Sequence, residues 1–267
     1  MDSPARTRIQ IKSREQLFCT LTEAVEIEHN LMCCSLYAAF SLKNAALDGI
    51  APEDDLLISR WGRSIMSVAV EEMTHLALVA NLMTALGGPP HLGRPNFPIE
   101  AGYHPAGVQA KLAPFSSETL QHFIFLERPE GSAEPNGEGF TVQTNYVRAL
   151  GVHNVLMPSA QDYETVGDLY RAIGDGVQSL AERSGETALF VGDPSARSVR
   201  TCSRLPGLMR ISGVESALRA IDTIVRQGEG ASEDLEGSHF QRFVAIRTEL
   251  QARGDRGSGG SVADINL

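Results

Sequence analysis

Cysteine is scarce in this 267-residue chain, which has Cys19, Cys33, Cys34 and Cys202 and no others. So few thiols cannot staple a disulfide scaffold, and the adjacent Cys33-Cys34 pair lacks C-x-x-C spacing. Reduced, core-packed cysteines in a cytoplasmic protein are the expectation. No run of eighteen apolar residues occurs, so no membrane-spanning helix is expected. The first dozen residues carry Arg6, Arg8 and Lys12 without an apolar stretch, which argues against a signal peptide. Basic charge is short too. A formal net charge of -10 leaves no basic footprint of the kind nucleic acid requires. No repeat of solenoid length is found.

What remains is a globular composition, 42% hydrophobic and 21% charged. A chain this long buries roughly 70–75% of its extended surface, enough for a sizeable core. Residues 15–47 read as one long helix, with Ser13 and Gln16 in a capping-box pattern and no Gly or Pro before Gly49. Residues 54–86 read as a second, bounded by Pro52 and by Gly87-Gly88-Pro89-Pro90. Each would be about 45 Å long, and together they form an antiparallel hairpin, half of a four-helix bundle.

From about 88 to 160 Gly and Pro recur and the pattern is irregular, apart from a brief helix over 116–127. A stretch this long without regular structure usually serves function, here as a wall over a pocket. Residues 163–183 read as a third bundle helix, with Val166, Leu169, Tyr170, Ile173, Val177 and Leu180 on one face. Residues 214–228 and 236–250 read as a fourth, broken around Gly228-Glu229-Gly230. The expected organisation is an all-α domain over 15–250, with an N-terminal tail at 1–14 and a flexible tail at 251–267.

The sharpest local signal is Glu72-Met73-Thr74-His75. Spacing of three puts both side chains on one helix face, within reach of one ion. That face continues through Ile65, Val68, Leu76, Val79 and Met83, all apolar. A buried carboxylate costs several kcal/mol unless a cation or a proton matches it. Glu28 repeats the pattern on the first helix, among Ala24, Val25, Leu31 and Ser35. Its rivals Glu26 and His29 lie on a more polar stripe and read as outward. Near the C-terminus Glu236-Gly237-Ser238-His239 supplies a second Glu-x-x-His, beside Phe240, Phe243, Ile246 and Leu250. Two such motifs and a lone buried Glu approximate a carboxylate-bridged di-metal site in a helix bundle. Glu127, ending the short helix behind Phe123 and Ile124, is the preferred fourth carboxylate over Asp168, whose face looks solvated. Such mixed ligands suit iron or manganese and would accept zinc. Tyr37, Phe40 and Tyr170 read as core aromatics. His91, His104, His122 and His153 read as surface or outer residues.

Several ordered blocks carry a resemblance. They are Leu-Thr-Glu-Ala-Val-Glu-Ile-Glu-His at 21–29, Glu-Glu-Met-Thr-His-Leu-Ala-Leu-Val-Ala-Asn-Leu at 71–82 and Ala-Leu-Gly-Gly-Pro-Pro at 85–90. Leu-Glu-Arg-Pro-Glu at 126–130, Val-Gly-Asp-Leu-Tyr-Arg-Ala-Ile at 166–173, Arg-Gln-Gly-Glu-Gly at 226–230 and Ser-His-Phe-Gln-Arg-Phe at 238–243 complete the set. The chain resembles, over about 8–250, the ferritin-like domain of the iminophenyl-pyruvate dimer synthase family. Those synthases couple oxidised amino-acid imines and are longer proteins, of which only the ferritin-like part is matched. The resemblance implies a ferritin-like four-helix bundle with a di-iron-like centre at Glu28, Glu72, His75 and His239. It adds support for Glu127 and points to Glu229 as a ligand, beside the Glu236 that spacing favours.

The functional expectation is an oxidase or oxygenase that uses two irons and O2 on a small organic substrate in specialised metabolism. Iron storage and a non-catalytic binding module are the alternatives. Storage ferritins are shorter and lack an insertion of this size. Neither nucleic acid nor a membrane is expected as a partner, whereas a homodimer is compatible with long amphipathic helices.

Overall fold

The computed structural model describes residues 10–43, 48, 50–91, 93–94, 96–99, 104–105, 108–140, 158–193, 205–228 and 236–254. Helix α1 spans Arg14–Phe40 and helix α2 spans Pro52–Ala85. Ser13 caps α1 by accepting from the Gln16 amide, while the Gln16 side chain accepts from the Lys12 amide at 2.6 Å. The helix stops seven residues short of the expected 47. Ser41 turns its hydroxyl onto the Ala38 carbonyl at 2.8 Å and accepts from the Phe115 amide at 2.7 Å, which peels the chain away. Pro52 opens α2, with Glu53, Asp54 and Asp55 in the first turn against the helix dipole. Gly87 closes it at φ 88°, and the Gly88 amide donates to the Met83 carbonyl at 3.0 Å, a Schellman closure.

The remaining helices are shorter: α3 over Ser117–Leu126, α4 over Val166–Ser184, α5 over Glu186–Leu189, α6 over Val214–Gln227 and α7 over His239–Gly254. Side chains cap three of them, Ser116 accepting from the Thr119 amide, Thr165 from the Asp168 amide and Ser238 from the Gln241 amide. Among the described residues no strand occurs, only an isolated bridge between Ile99 and Ala110.

The long hairpin is covered by two different pairs of short helices, and each pair builds its own core. The first joins Leu17 and Leu21 of α1, Leu78 and Leu82 of α2, Leu169 and Ile173 of α4, and Ala217 and Ile221 of α6. The second joins Cys34 and Ala38 of α1, Trp61 and Ile65 of α2, Phe123 of α3, and Phe243 and Ile246 of α7. Along α1 the change of core falls between Leu31 and Cys34, and along α2 between Val68 and Leu78. Glu72 and His75 lie within that interval of α2, and Glu28 lies just before it on α1; the layer they form is the seam between the cores. Helix α3 is thus a bundle element packed on α7 rather than part of an irregular wall. By length and hydropathy α2 could cross a membrane, but 56% of its apolar window is buried inside the protein. Its apolar residues serve the two cores.

Three aromatic assignments sort by helix face. Tyr170 is 1% exposed, as expected of a core residue, whereas Tyr37 and Phe40 are 45% and 69% exposed. The last two lie on the face of α1 that no described helix covers. Of the cysteines, Cys34 is buried, Cys19 and Cys33 are half-buried, and Cys202 lies outside the described residues.

Candidate metal centre

Four helices deliver side chains to the seam. Mid-helix α1 contributes Glu28, mid-helix α2 contributes Glu72 and His75, the C-cap of α3 is Glu127, and the first residue of α7 is His239. All five are buried, with exposures of 0–2%. Their ligand atoms form two triads, Glu28–Glu72–His75 and Glu72–Glu127–His239, each with its atoms within 4.8 Å of one another. Glu72 belongs to both.

The arrangement is close to symmetrical about that shared carboxylate. His75 Nδ1 lies 3.1 Å from Glu72 Oε2 and 3.4 Å from Glu28 Oε2. His239 Nδ1 lies 3.0 Å from Glu72 Oε1 and 3.4 Å from Glu127 Oε1. The two imidazoles stack at 5.6 Å between centroids. Both turn Nδ1 inward and Nε2 outward, where His75 Nε2 meets Gln227 Oε1 at 3.0 Å and His239 Nε2 meets Glu71 Oε2 at 2.9 Å. Tyr170 donates its phenol proton to Glu28 Oε1. Outer hydrogen bonds of this kind orient imidazole and carboxylate ligands around a metal.

The electrostatics follow from crowding three carboxylates and two imidazoles out of water. Burial opposes the charge on Glu72, but the charges of His239 and His75 and the His75 hydrogen bond hold its pKa well below the usual carboxylate range. Burial likewise opposes a proton on His239, and the Glu127 and Glu72 carboxylates with the Glu71 hydrogen bond raise its pKa well above the ordinary imidazole value. Without a cation the cluster is therefore held by imidazolium charge.

The residues present fit a pair of metal ions. Glu72 Oε1 and His239 Nδ1 are fully buried and 3.0 Å apart, yet neither completes a hydrogen bond. Two ligand atoms facing one another in this way are satisfied by a cation between them. The backbone leaves space for one. A Cβ at Gly228 would stand 2.8 Å from His239 Nδ1 and 3.2 Å from Glu127 Oε2, so any side chain there would fill the position. Two divalent cations exceed the charge of three carboxylates by one, which leaves room for one further anionic ligand.

Of the expected ligands, Glu28, Glu72, His75, Glu127 and His239 converge. Glu236 does not. It is exposed, and Gly237 at φ 86° separates it from α7, which begins only at His239. The spacing of three that places Glu72 beside His75 has no helix to act through at 236. Glu229 lies outside the described residues. Asp168 faces its own helix start, accepting from the Thr165 hydroxyl at 3.2 Å, with Arg171 3.7 Å away. Glu26 pairs with His91 at 2.8 Å, and His29 meets Cys33 at 3.5 Å, on the side of α1 turned away from Glu28. His104 and His122 are fully buried, contrary to expectation. Burial lowers their pKa values to about 4 and about 3, and His122 stacks on Phe140 at 4.0 Å. His153 lies outside the described residues. Sequence reasoning did not identify Glu71, Gln227 or Arg242, placed Gly228 only in a helix break, and read Tyr170 as a core aromatic. The nearest signal was the doubled Glu71-Glu72.

A helix bundle with paired carboxylate and imidazole ligands on facing helices is the architecture of carboxylate-bridged metal proteins. The ferritin-like family model matches residues 21–248, and the chain belongs to the ferritin-like family. It is 29% identical over 280 aligned residues to the 2-imino-3-(indol-3-yl)propanoate dimerase of Chromobacterium violaceum, covering 94% of this chain and 24% of that protein. It is 30% identical over 274 aligned residues to the dichlorochromopyrrolate synthase of Lentzea aerocolonigenes, covering 91% of this chain and 25% of that protein. The chain thus spans about a quarter of the length of these curated relatives. A crystal structure of a ferritin-like protein from Caulobacter vibrioides, at 1.95 Å resolution, shares the fold. Its TM-score is 0.57 at 20% identity, covering 92% of this chain and 83% of that one.

Proposed function

We propose that this chain is a metal-dependent oxidase or oxygenase, holding two iron ions in the seam and using O2 on a small, amino-acid-derived substrate in specialised metabolism. The observation that carries the reading is Glu72, a fully buried carboxylate whose two oxygens face two separate imidazoles. The enzymatic names of both relatives support catalysis over storage, and their imino-indolyl and chromopyrrolate chemistry supports an indole-bearing, amino-acid-derived substrate. Cys33 and Cys34 are free thiols, in keeping with a reducing compartment such as the cytoplasm.

When bound, the irons supply the reduction of O2 that drives oxidation of the substrate. The chain's own residues do the rest. Glu72 would be shared between the two positions, Glu28 and Glu127 would serve as the outer carboxylates, and His75 and His239 would hold the ions through Nδ1. Oxygen and nitrogen donors without thiolate suit iron, with manganese or zinc as substitutes. Burial of the cluster excludes water and strengthens every charge interaction inside it.

The test is anaerobic loading of metal-free protein with ferrous ion, followed by exposure to O2 in a spectrophotometer. The expected result is about two irons per chain and a transient visible absorbance whose decay is accelerated by an indole-bearing amino or imino acid. Failure to bind ferrous ion, or binding without O2 consumption, overturns the reading.

A further inference from the structure

We propose that the outer face of the α1–α2 hairpin docks a second copy of this chain, the two α2 helices running antiparallel about a twofold axis at Ser59. Glu72 and His75 face the seam, on another side of α2, so this surface is independent of the metal centre.

The face is apolar and open. Tyr37, Phe40 and Leu56 are large side chains left 45%, 69% and 73% exposed. On α2, Leu56, Ser59, Arg63, Met66 and Val70 follow one another at steps of three and four, which keeps them on one side of the helix. The last four line a groove of about 640 Å³ between the two helices, beside Ala39 and Gly62. Small residues dominate its walls, and Arg63 is the one charged group among the described residues that line it. Phe40, Met66 and Val70 belong to neither core.

The same face carries both a protruding side chain and a recess, which is what a twofold contact requires. In an antiparallel helix pair centred on residue 59, a residue some places before the centre meets the residue as many places after it on the other copy. Leu56, three places before, then faces Gly62 of the second copy, three places after, where the missing side chain opens the groove. Asp55, four places before, faces Arg63, four places after. Arg63 is exposed and has no ion-pair partner among the described residues. A carboxylate accepts several hydrogen bonds, so Asp55 can take Arg63 beside its own contacts. Tyr37 and Phe40 flank the pair with aromatic surface of the kind that anchors interfaces. Every contact occurs twice, and the assembly closes at two copies.

The test uses the full chain. At about 100 µM, where a dimer of micromolar affinity is filled, sedimentation equilibrium should give twice the chain mass. Arg63→Asp and Asp55→Arg, each alone, put like charges across both contacts and should weaken association about tenfold or more. An equimolar mixture of the two variants should recover it, because the mixed pair has opposite charges at both contacts, a gain that structural damage does not produce. Ser59→Cys should form a disulfide between copies on mild oxidation. Peptide mass spectrometry should find position 59 of one copy joined to position 59 of the other, with wild type as the control for the native thiols. Circular dichroism checks the fold of each variant. A monomeric wild-type chain at that concentration overturns the proposal and leaves the face to a different partner. So does a dimer that survives both charge reversals undiminished, or one in which position 59 does not pair with itself.

Discussion

The chain contains Glu-x-x-His three times, and the three copies end in different places. At 72–75 the motif lies in the middle of α2, both side chains are buried, and both face the seam. At 236–239 the same letters straddle a helix start. Ser238 accepts from the Gln241 amide at 3.3 Å and so helps fix the first turn, His239 enters the seam, and Glu236 stays outside in solvent beyond Gly237. At 26–29 the motif is helical but on the wrong face, with Glu26 taken by His91. Spacing becomes geometry only where a continuous helix carries it, and geometry becomes a site only where that face meets other helices.

Each copy can be tested. The largest effect is expected at Glu72, which serves both triads. Glu72→Ala should reduce bound metal from about two ions per chain to near zero by elemental analysis. It should also cost roughly 3–5 kcal/mol in urea unfolding, because the partners of a buried ion pair are left uncompensated.

Histidines buried without carboxylates should behave in the opposite sense from His239. His104 is neutral in the fold at neutral pH, its pKa lowered to about 4 by burial. Above its unfolded value of about 6.5, it adds no pH dependence. As pH falls from 6.5 toward 4, the unfolded chain takes up the proton that the folded chain refuses, so stability drops, by on the order of 3 kcal/mol. Urea unfolding of metal-free wild type against His104→Gln at pH 7, 5.5 and 4.5 should show the difference shrinking with acid. A difference independent of pH would contradict the assignment.

A smaller effect is expected where the backbone borders the 239 side. Gly228→Ala is checked for folding by circular dichroism before its metal affinity is compared with wild type. Its methyl would stand within 3.2 Å of His239 and Glu127, and metal affinity there should fall about tenfold or more by competition with a chelator. At the bottom of the scale, Glu236→Gln should change neither metal content nor stability beyond about 0.5 kcal/mol. Loss of an ion in that variant would restore Glu236 to the ligand set.

The long helices were legible because their stops are chemically blunt, Pro52 at one end of α2 and Gly87 at the other, and their apolar period runs unbroken between. Glu28, Glu72 and His75 were legible for the same reason, as polar groups interrupting that period. Glu127 could be placed from the inward face of its short helix. The loss of Glu236 turned on one residue, Gly237, whose positive φ resets the helix and which no periodicity reveals. The outer partners were hidden for a different reason. Glu71 and Gln227 meet the imidazoles from two helices, Arg242 holds Glu71 from a third, and no spacing along the chain relates them. The burial of His104 was equally opaque, since it depends on Asn30 of α1, 74 residues away, whose amide lies 3.2 Å from the ring.

The seam also governs how the molecule comes apart. Two greasy lobes meet along the α1–α2 hairpin, and between them lies a layer of acids and imidazoles. Glu127 and His239 reach that layer from one lobe, while Tyr170 and Gln227 reach it from the other. Ions seated there would rivet the lobes together, so that a chain stripped of metal melts in parts and a loaded chain melts as one.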